Sequence, residues 1–160
     1  MRGNIVARYS IAHRISALSL RYANVYGPGQ DPHGEAGVVA IFAGKMIAGH
    51  EPVINGDGEQ TRDYVHVEGW RASNCDALDS RAPGALNVGT GRETSVNELP
   101  RLLAGACGYR GSIRHGPPKP GEQRRSSIDA SAARAQLGWE PRIGLEDGLA
   151  RTAQWFKRER

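Results

Sequence analysis

Residues 16–37, SALSLRYANVYGPGQDPHGEAG, contain the sharpest change of structural pattern in this 160-residue chain. The first part, Ser16–Tyr22, alternates in side-chain type, with Leu18 and Leu20 on one side, and this period of two predicts a β-strand. The second part, Asn24–Gly37, is rich in glycine and proline, which predicts an exposed loop. A strand therefore ends here, and a long loop leads to the next element.

Helical and extended patterns alternate through the rest of the sequence. Apolar spacing, a capping box at Ser95–Glu98 and terminal glycines predict helices over Gly3–His13, Gly37–Gly49, Trp70–Leu78, Ser95–Cys107, Asp129–Leu137 and Glu146–Lys157. Strands are predicted over Pro52–Ile54, Arg62–Val67, Ala85–Val88 and Ser112–Arg114. Residues 55–58, Asn-Gly-Asp-Gly, tolerate positive φ, so we expect the first two of these strands to form a hairpin around them. The fold class is α/β with short, mixed elements and no long linker.

The composition indicates one folded domain that lacks several common features. Ile, Val, Leu and Phe supply 30 of the 160 residues, about 19%, which is a small stock of large core side chains. No apolar run approaches the roughly 20 residues of a membrane span, and no long apolar segment typical of a signal peptide begins the chain. Two cysteines, Cys75 and Cys107, are too few for a disulfide scaffold or a tetrahedral metal site. We expect a cytoplasmic protein without a membrane contact or a metal.

The positive charges are dispersed along the chain. The formal net charge is +4, with 18 of the 21 basic residues being arginine. Proteins that bind nucleic acid usually gather such residues into a stripe with interleaved aromatic side chains, and no such stripe is present. We therefore expect no nucleic-acid partner, whereas a small anionic substrate suits a dispersed set of arginines.

No complete active site is visible in the sequence. Neither a G-x-G-x-x-G turn after a strand nor a G-x-x-x-x-G-K-[ST] loop is present, so the usual phosphate cradles are missing. The G-x-G at Gly89–Gly91 is more simply a turn. The five histidines show no i, i+4 metal pairing, and His66 is expected to be a packed strand residue. No residue is assigned a catalytic role.

A few loop residues are candidate contacts for an anion. Arg62 begins a strand directly after a glycine turn, Asn24 closes another strand, and Lys119 lies between prolines. An arginine at the mouth of a strand can bind a diphosphate through two donors at once. Alternatively, Arg62 pairs with Asp63 or Asp57 and only holds the hairpin. The residues alone leave both interpretations open.

Five blocks of the sequence carry a family resemblance. They are 20–30 (LRYANVYGPGQ), 54–67 (INGDGEQTRDYVHV), 87–99 (NVGTG followed by SVNEL), 119–122 (KPGE, with Asp129) and 137–141 (LGWEP). In this order they resemble the extended short-chain dehydrogenase/reductases, specifically the NAD-dependent nucleotide-sugar epimerases and dehydratases. The UDP-glucose 4-epimerases are the most similar branch.

The resemblance covers only the C-terminal, substrate-binding half of that NAD(P)-binding Rossmann-like fold. It implies one partial domain over 1–160, in which 1–26 are the last helix and strand of the Rossmann-like half and 27–160 form the substrate-binding region. The family's glycine-rich turn and Tyr-x-x-x-Lys pair are absent from these residues. NAD serves the complete family fold, and we expect this chain alone neither to retain NAD nor to be active. The alternative is a non-catalytic remnant or interaction module that binds a nucleotide-sugar weakly.

The resemblance also implies roles for six residues. Asn24 would contact the nucleotide-sugar, a UDP-sugar above all, while Val38 would pack near the nucleotide and Arg62 would bind the diphosphate. Lys119 stands where relatives usually have arginine, so it keeps the charge but loses the planar fork. Tyr22 and Ala23 would edge the nicotinamide of the cofactor.

The strand Ser16–Tyr22 has a further consequence for association. In such folds it pairs with strands of the other half, so we expect it to have an unpaired edge here. An incomplete sheet exposes apolar faces built for partners. The expected partners are a second copy of the chain or the missing N-terminal half.

Overall fold

A computed structural model describes residues 2–33 and 37–159 of the chain. Its helices are α1 (Arg2–His13), α2 (Val38–Ile47), α3 (Val67–Asp79), α4 (Glu98–Cys107), α5 (Ser131–Leu137) and α6 (Leu145–Arg158). Its strands are β1 (Leu18–Tyr22), β2 (Asn24–Tyr26), β3 (Val53–Asn55), β4 (Thr61–Arg62), β5 (Tyr64–His66), β6 (Gly84–Val88), β7 (Thr94–Ser95) and β8 (Arg114–Gly116). The predicted mixed α/β class is confirmed. Residues 34–36 of the predicted loop lie outside the described part, and the loop begins only after β2.

The strands form four two-stranded sheets that join distant parts of the chain. The pairs β1–β6, β2–β5 and β3–β8 are parallel, and β4–β7 is antiparallel. Parallel pairing needs a crossover connection, so each of these sheets depends on a long loop or a helix to bring its strands together. The sheet positions are therefore set by packing rather than by local turns.

The predicted hairpin is wrong. Residues 55–58 do turn, with φ of 69° at Gly56 and 72° at Gly58. However, the Gly56 N–H donates to the Gly116 carbonyl at 3.0 Å, which extends the β3–β8 pairing past the turn. The second predicted strand is also interrupted at Asp63, so β4 and β5 pair with different partners. The physical reason is that the buried Asp63 side chain binds another loop.

Two apolar clusters form the core. One lies among α2, α4 and α6 and includes Ala40, Leu99 and Leu149, all at most 1% exposed. The other joins β5, β6 and α5 around Trp139, whose indole N–H donates to the Gly69 carbonyl at 2.9 Å. A Cβ on Gly69 would lie 3.3 Å from the Val65 side chain, so this helical glycine permits close packing. The second cluster therefore fixes the start of α3, three residues before the predicted one.

The predicted helix caps at Ser95 and Asp129 are present. The Ser95 hydroxyl accepts a hydrogen bond from the Glu98 N–H at 3.2 Å, and Asp129 Oδ1 accepts one from the Ser131 N–H at 2.8 Å. Each satisfies a backbone donor that the first helical turn leaves without a partner. Local sequence thus predicts how α4 and α5 begin.

His66 is a buried residue, as expected from its place in a strand, and it also caps α3. Its Nδ1 accepts a hydrogen bond from the Glu68 N–H at 3.3 Å, while its Nε2 has no partner in the described part of the chain. Burial lowers the pKa of His66, and Arg151 lowers it further, against an opposing effect of Glu68. The folded protein therefore favours the neutral imidazole.

This burial predicts acid sensitivity. Because the pKa of His66 is lower in the folded state, the unfolded chain takes up the proton first as the pH falls below about 6.5. We expect the free energy of unfolding, measured with urea, to decrease between about pH 7.5 and pH 5.5. In His66→Gln, whose amide oxygen can still accept from Glu68, the decrease should be smaller. Equal pH slopes in the two proteins would contradict this role for His66.

Candidate functional site

The Arg62 side chain is held firmly in one orientation. Only 16% of it is exposed, which is low for an arginine. Its Nη1 donates to the carbonyls of Thr61 at 2.7 Å and Gln123 at 2.6 Å, and its Nη2 lies 3.4 Å from the Glu122 carboxylate. The pairing with Asp63 or Asp57 that the sequence left open is therefore not the one formed. The loose contact with Glu122 is one that an incoming phosphate can replace.

A cavity of about 500 Å³ lies beside this arginine. Its walls come from the β3 turn, from the end of β8 and from the following loop, with Gln60, Lys119, Glu122 and Arg124 among the lining side chains. Gln60 is buried, and its amide donates to the Asn55 carbonyl at 3.1 Å and to Glu122 at 3.4 Å. Glu122 thus connects the cavity wall to Arg62. Lys119 is exposed at the rim and has no ion-pair partner in the part of the chain that the structure describes.

Several interactions clamp the loop that carries Lys119 onto β4. The Thr61 N–H donates to the Arg124 carbonyl at 2.9 Å, and the Ser126 N–H donates back to the Thr61 carbonyl at 3.1 Å. Arg124 also donates to both carboxylate oxygens of Asp57, at 2.7 and 2.9 Å, and this hydrogen bonding lowers the pKa of Asp57. The loop on one side of the cavity and the turn on the other are therefore linked.

A second, smaller cavity of about 30 Å³ lies at the N-terminus of α2. Asn24 and Val38 both line it, together with Gln30 and Tyr64. The Gln30 Oε1 and the Tyr64 hydroxyl are buried without a hydrogen-bond partner. A space of this size accommodates about one water molecule or one polar ligand atom.

The structure brings the predicted substrate residues together in two pairs. Asn24 and Val38 share the small cavity, while Lys119 lines the large one that Arg62 reaches through Glu122. The backbone joins the two pairs, because the Asn24 N–H donates to the carbonyl of Asp63, the neighbour of Arg62, at 2.8 Å.

Tyr22 and Ala23, the residues expected to edge a nicotinamide, line neither cavity. The Tyr22 hydroxyl donates to Asn74 Oδ1 at 3.1 Å, and its ring lies 6.2 Å from that of Trp70. The Ala23 N–H donates to the Val88 carbonyl at 3.0 Å. Both residues lie at the carboxyl end of β1, and their assignment to a cofactor remains a prediction.

Asp63 positions this site from below. Its carboxylate is 1% exposed and accepts hydrogen bonds from the Thr90 N–H at 3.0 Å, the Thr90 hydroxyl at 2.6 Å and the Gly91 N–H at 2.9 Å. A Cβ on Gly89 would lie 2.6 Å from the carboxylate, so the loop needs glycine at this point. The backbone on either side of Arg62 is therefore fixed to the β6–β7 loop.

Sequence analysis missed the polar residues that surround the predicted ones. Gln60, Glu122 and Tyr64 were not assigned a role, although each contacts the cavities or Arg62. Glu122 lies within the quoted KPGE block, and this carboxylate beside a predicted anion site was the available signal. Gln60 gave no such signal, because its burial depends on strands that come from distant parts of the chain.

Two expected absences were examined within residues 2–33 and 37–159. No group of three or more His, Cys, Asp or Glu side chains is arranged there to hold a metal ion. No helix in those ranges has the length and apolar character needed to cross a membrane.

Comparison with known proteins shows the family. The family model described as GDP-mannose 4,6 dehydratase matches residues 1–152. The putative UDP-glucose 4-epimerase of Methanocaldococcus jannaschii is 44% identical over 149 residues, covering 93% of this chain and 48% of that protein. The UDP-glucose 4-epimerase of Mycolicibacterium smegmatis is 48% identical over 143 residues, covering 84% and 44%.

A solved structure agrees with this similarity. The UDP-glucose 4-epimerase of Thermotoga maritima with UDP-glucose superposes with a TM-score of 0.95 at 43% identity, covering 98% of this chain and 51% of that one. The chain therefore spans about half the length of the relatives that it matches.

Replacing the anchoring carboxylate tests its structural role. In Asp63→Asn, one carboxylate oxygen becomes an amide that faces backbone N–H donors, so buried hydrogen bonds are lost. We expect the free energy of unfolding to fall by about 2–3 kcal/mol, measured with urea at pH 7. Asp76→Asn, on α3, is the control and should change little. A loss no greater in Asp63→Asn than in the control would contradict the anchoring role.

Proposed function

The chain belongs to the family described as GDP-mannose 4,6 dehydratase, within the extended short-chain dehydrogenase/reductases, and from this premise we propose that it binds a nucleotide-sugar, most suitably a UDP-sugar. It would serve as the substrate-holding half of an NAD-dependent epimerase of the UDP-glucose 4-epimerase type. The carrying observation is the oriented, mostly buried Arg62 guanidinium beside a cavity with Lys119 at its rim.

The charges at the cavity suit a diphosphate. Arg62 Nη1 is already engaged by two carbonyls, so Nη2, with only the loose Glu122 contact, is the donor left for a phosphate. Lys119 adds a second positive charge from the opposite loop, as a point charge rather than a fork. The fixed guanidinium loses little side-chain entropy on binding, which favours affinity.

The small cavity supplies a polar environment for another part of the ligand. Asn24 is exposed beside it, and the unpartnered Tyr64 hydroxyl and Gln30 carbonyl oxygen offer a donor and an acceptor. Val38 begins α2, whose N-terminal N–H groups and dipole favour a negative group. Nucleotide and phosphate would thus bind between the α2 terminus and the Arg62 cavity.

The described residues do not fit NAD by themselves. The G-x-G turn after β6 is the one that resembles part of a phosphate cradle, but the N–H groups of Thr90 and Gly91 donate to Asp63. They are not available to a pyrophosphate. We therefore assign no hydride or proton transfer to this chain, and propose that the residues that bind NAD and react with the sugar belong to another half.

The binding proposal is tested by calorimetric titration with UDP-glucose, UDP and uridine. We expect UDP-glucose and UDP to bind and uridine to bind much more weakly, since it lacks the diphosphate. Arg62→Ala should weaken UDP binding about 10- to 100-fold, the range expected for a lost charge-assisted hydrogen bond. Arg101→Ala, an exposed arginine on α4, should leave the affinity unchanged. Equal affinities in the wild type and Arg62→Ala would overturn the assignment.

The lysine at the cavity rim allows a gain-of-affinity test. Lys119→Arg introduces a planar fork that can bond two phosphate oxygens, so UDP should bind about 3- to 10-fold more tightly. The same titration measures it, with Lys45→Arg on α2 as the control. If Lys119→Arg leaves UDP binding unchanged, Lys119 does not contact the diphosphate.

A further inference from the structure

Exposed large apolar side chains are confined to one region of the described chain. The residues are Ile5, Val6, Tyr9 and Ile11 on α1, Ile15 just after it, and Trp70 and Leu78 on α3. Ile11 is 80% exposed and Leu78 is 86% exposed. α1 leads directly into β1, and α3 packs against β1, so all seven flank the same strand. We call this region, with the free edge of β1, the β1 surface.

The strand at its centre is half covered. β1 pairs with β6 along one edge, and no other strand within residues 2–33 and 37–159 pairs with it. Leu18, Leu20 and Tyr22 are only partly buried, and they line a groove of about 460 Å³ between β1 and α3. Parallel sheets normally have both faces covered and continue through several strands, which this pair does not.

Helix α1 also lacks the packing that would stabilise it. Neither apolar cluster of the core includes a residue of α1. Its described contacts are local, such as the stacking of Tyr9 on His13 with ring centroids 4.2 Å apart and a Ser10 hydroxyl bond to the Ile15 carbonyl. A helix of 12 residues is marginal in water without a tertiary partner. The exposed apolar side chains therefore indicate a surface that is covered in the functional protein.

The relatives indicate what covers it. This chain superposes along 98% of its length on 51% of the Thermotoga maritima epimerase, so that protein has about as many residues again. The region of this chain with unpaired strand edge and exposed apolar side chains is also where its N-terminal elements, α1 and β1, lie. An occupant that continues a parallel sheet must present a strand of the same direction, with its helices on the faces.

We propose that the β1 surface docks the NAD-binding Rossmann-like half of the epimerase. One of that half's parallel strands pairs with the free edge of β1, and its apolar faces cover α1 and the groove against α3. The half belongs either to the same polypeptide or to a separate one. This inference rests on the proposed function for the identity of the partner.

Co-expression tests the docking directly. The chain is produced with the half of the Thermotoga maritima epimerase that it does not superpose on, and the mixture is analysed by size-exclusion chromatography with light scattering. We expect a 1:1 complex. Ile5→Glu/Ile11→Glu, at two exposed positions, should weaken the complex at least tenfold. Gln136→Glu/Gln154→Glu, which adds the same charges at exposed positions of α5 and α6, should leave it intact.

The outcomes separate the partner from other occupants. A complex that forms equally well with Ile5→Glu/Ile11→Glu overturns the proposal. A stable homodimer of the chain that the same substitutions dissociate, and that the NAD-binding half does not displace, also overturns it, because the occupant is then a second copy. Complex formation together with conversion of UDP-glucose to its 4-epimer supports it.

Two further measurements keep the test decisive. If the co-expressed half is insoluble, it is fused in front of the chain. A single thermal transition above that of the chain alone then supports docking, and two independent transitions overturn it. UDP titration of the isolated chain tests the proposed function separately, because Ile5→Glu/Ile11→Glu lies outside both cavities and should bind UDP as the wild type does. Docking without UDP binding would leave the interface standing and remove the assigned ligand.

Discussion

The buried carboxylate of Asp63 is the interaction on which the site depends. It replaces water with the N–H and hydroxyl of Thr90 and the N–H of Gly91, and these donors satisfy a charge that is 1% exposed. A buried carboxylate without such donors would be too costly to keep ionised. Because Asp63 points into this loop, the strand breaks there, and its two parts pair with β7 and β2 separately.

That break also separates the two parts of the proposed ligand site. Arg62, before it, reaches toward Glu122 and the large cavity, and Tyr64, after it, lines the small cavity with Asn24. Asp63 uses the N–H groups of the glycine turn, so this turn cannot also bind a pyrophosphate. The same contact that organises the substrate residues thus removes the only resemblance to a cofactor cradle that the described residues contain.

Stability and association are linked in this molecule. The helices α2, α4 and α6 enclose a core of their own, whereas β1 and α1 belong to a sheet and a layer that the described residues do not complete. Hydrophobic burial is the main favourable term in folding, so apolar side chains left in water indicate a missing partner. The chain spans about half of its relatives, which agrees with this imbalance.

Short-range patterns predicted the helices, their caps and the α/β class. The Ser95 and Asp129 caps, the alternation in β1 and the burial of His66 all follow from residues near one another in sequence. The family blocks also identified Arg62 and Lys119 before their surroundings were known, and the comparisons confirmed the family.

Contacts between distant residues were beyond such patterns. The hairpin failed because β3 pairs with β8 across some 60 residues, and nothing local to residues 52–67 encodes that partner. The choice of Glu122 as the partner of Arg62, and the burial of Gln60, arise in the same way. Periodicity reports which face of an element is apolar, but only the packing of the whole chain selects the opposite face that covers it, since that selection depends on shape, hydrogen-bond satisfaction and loop closure together.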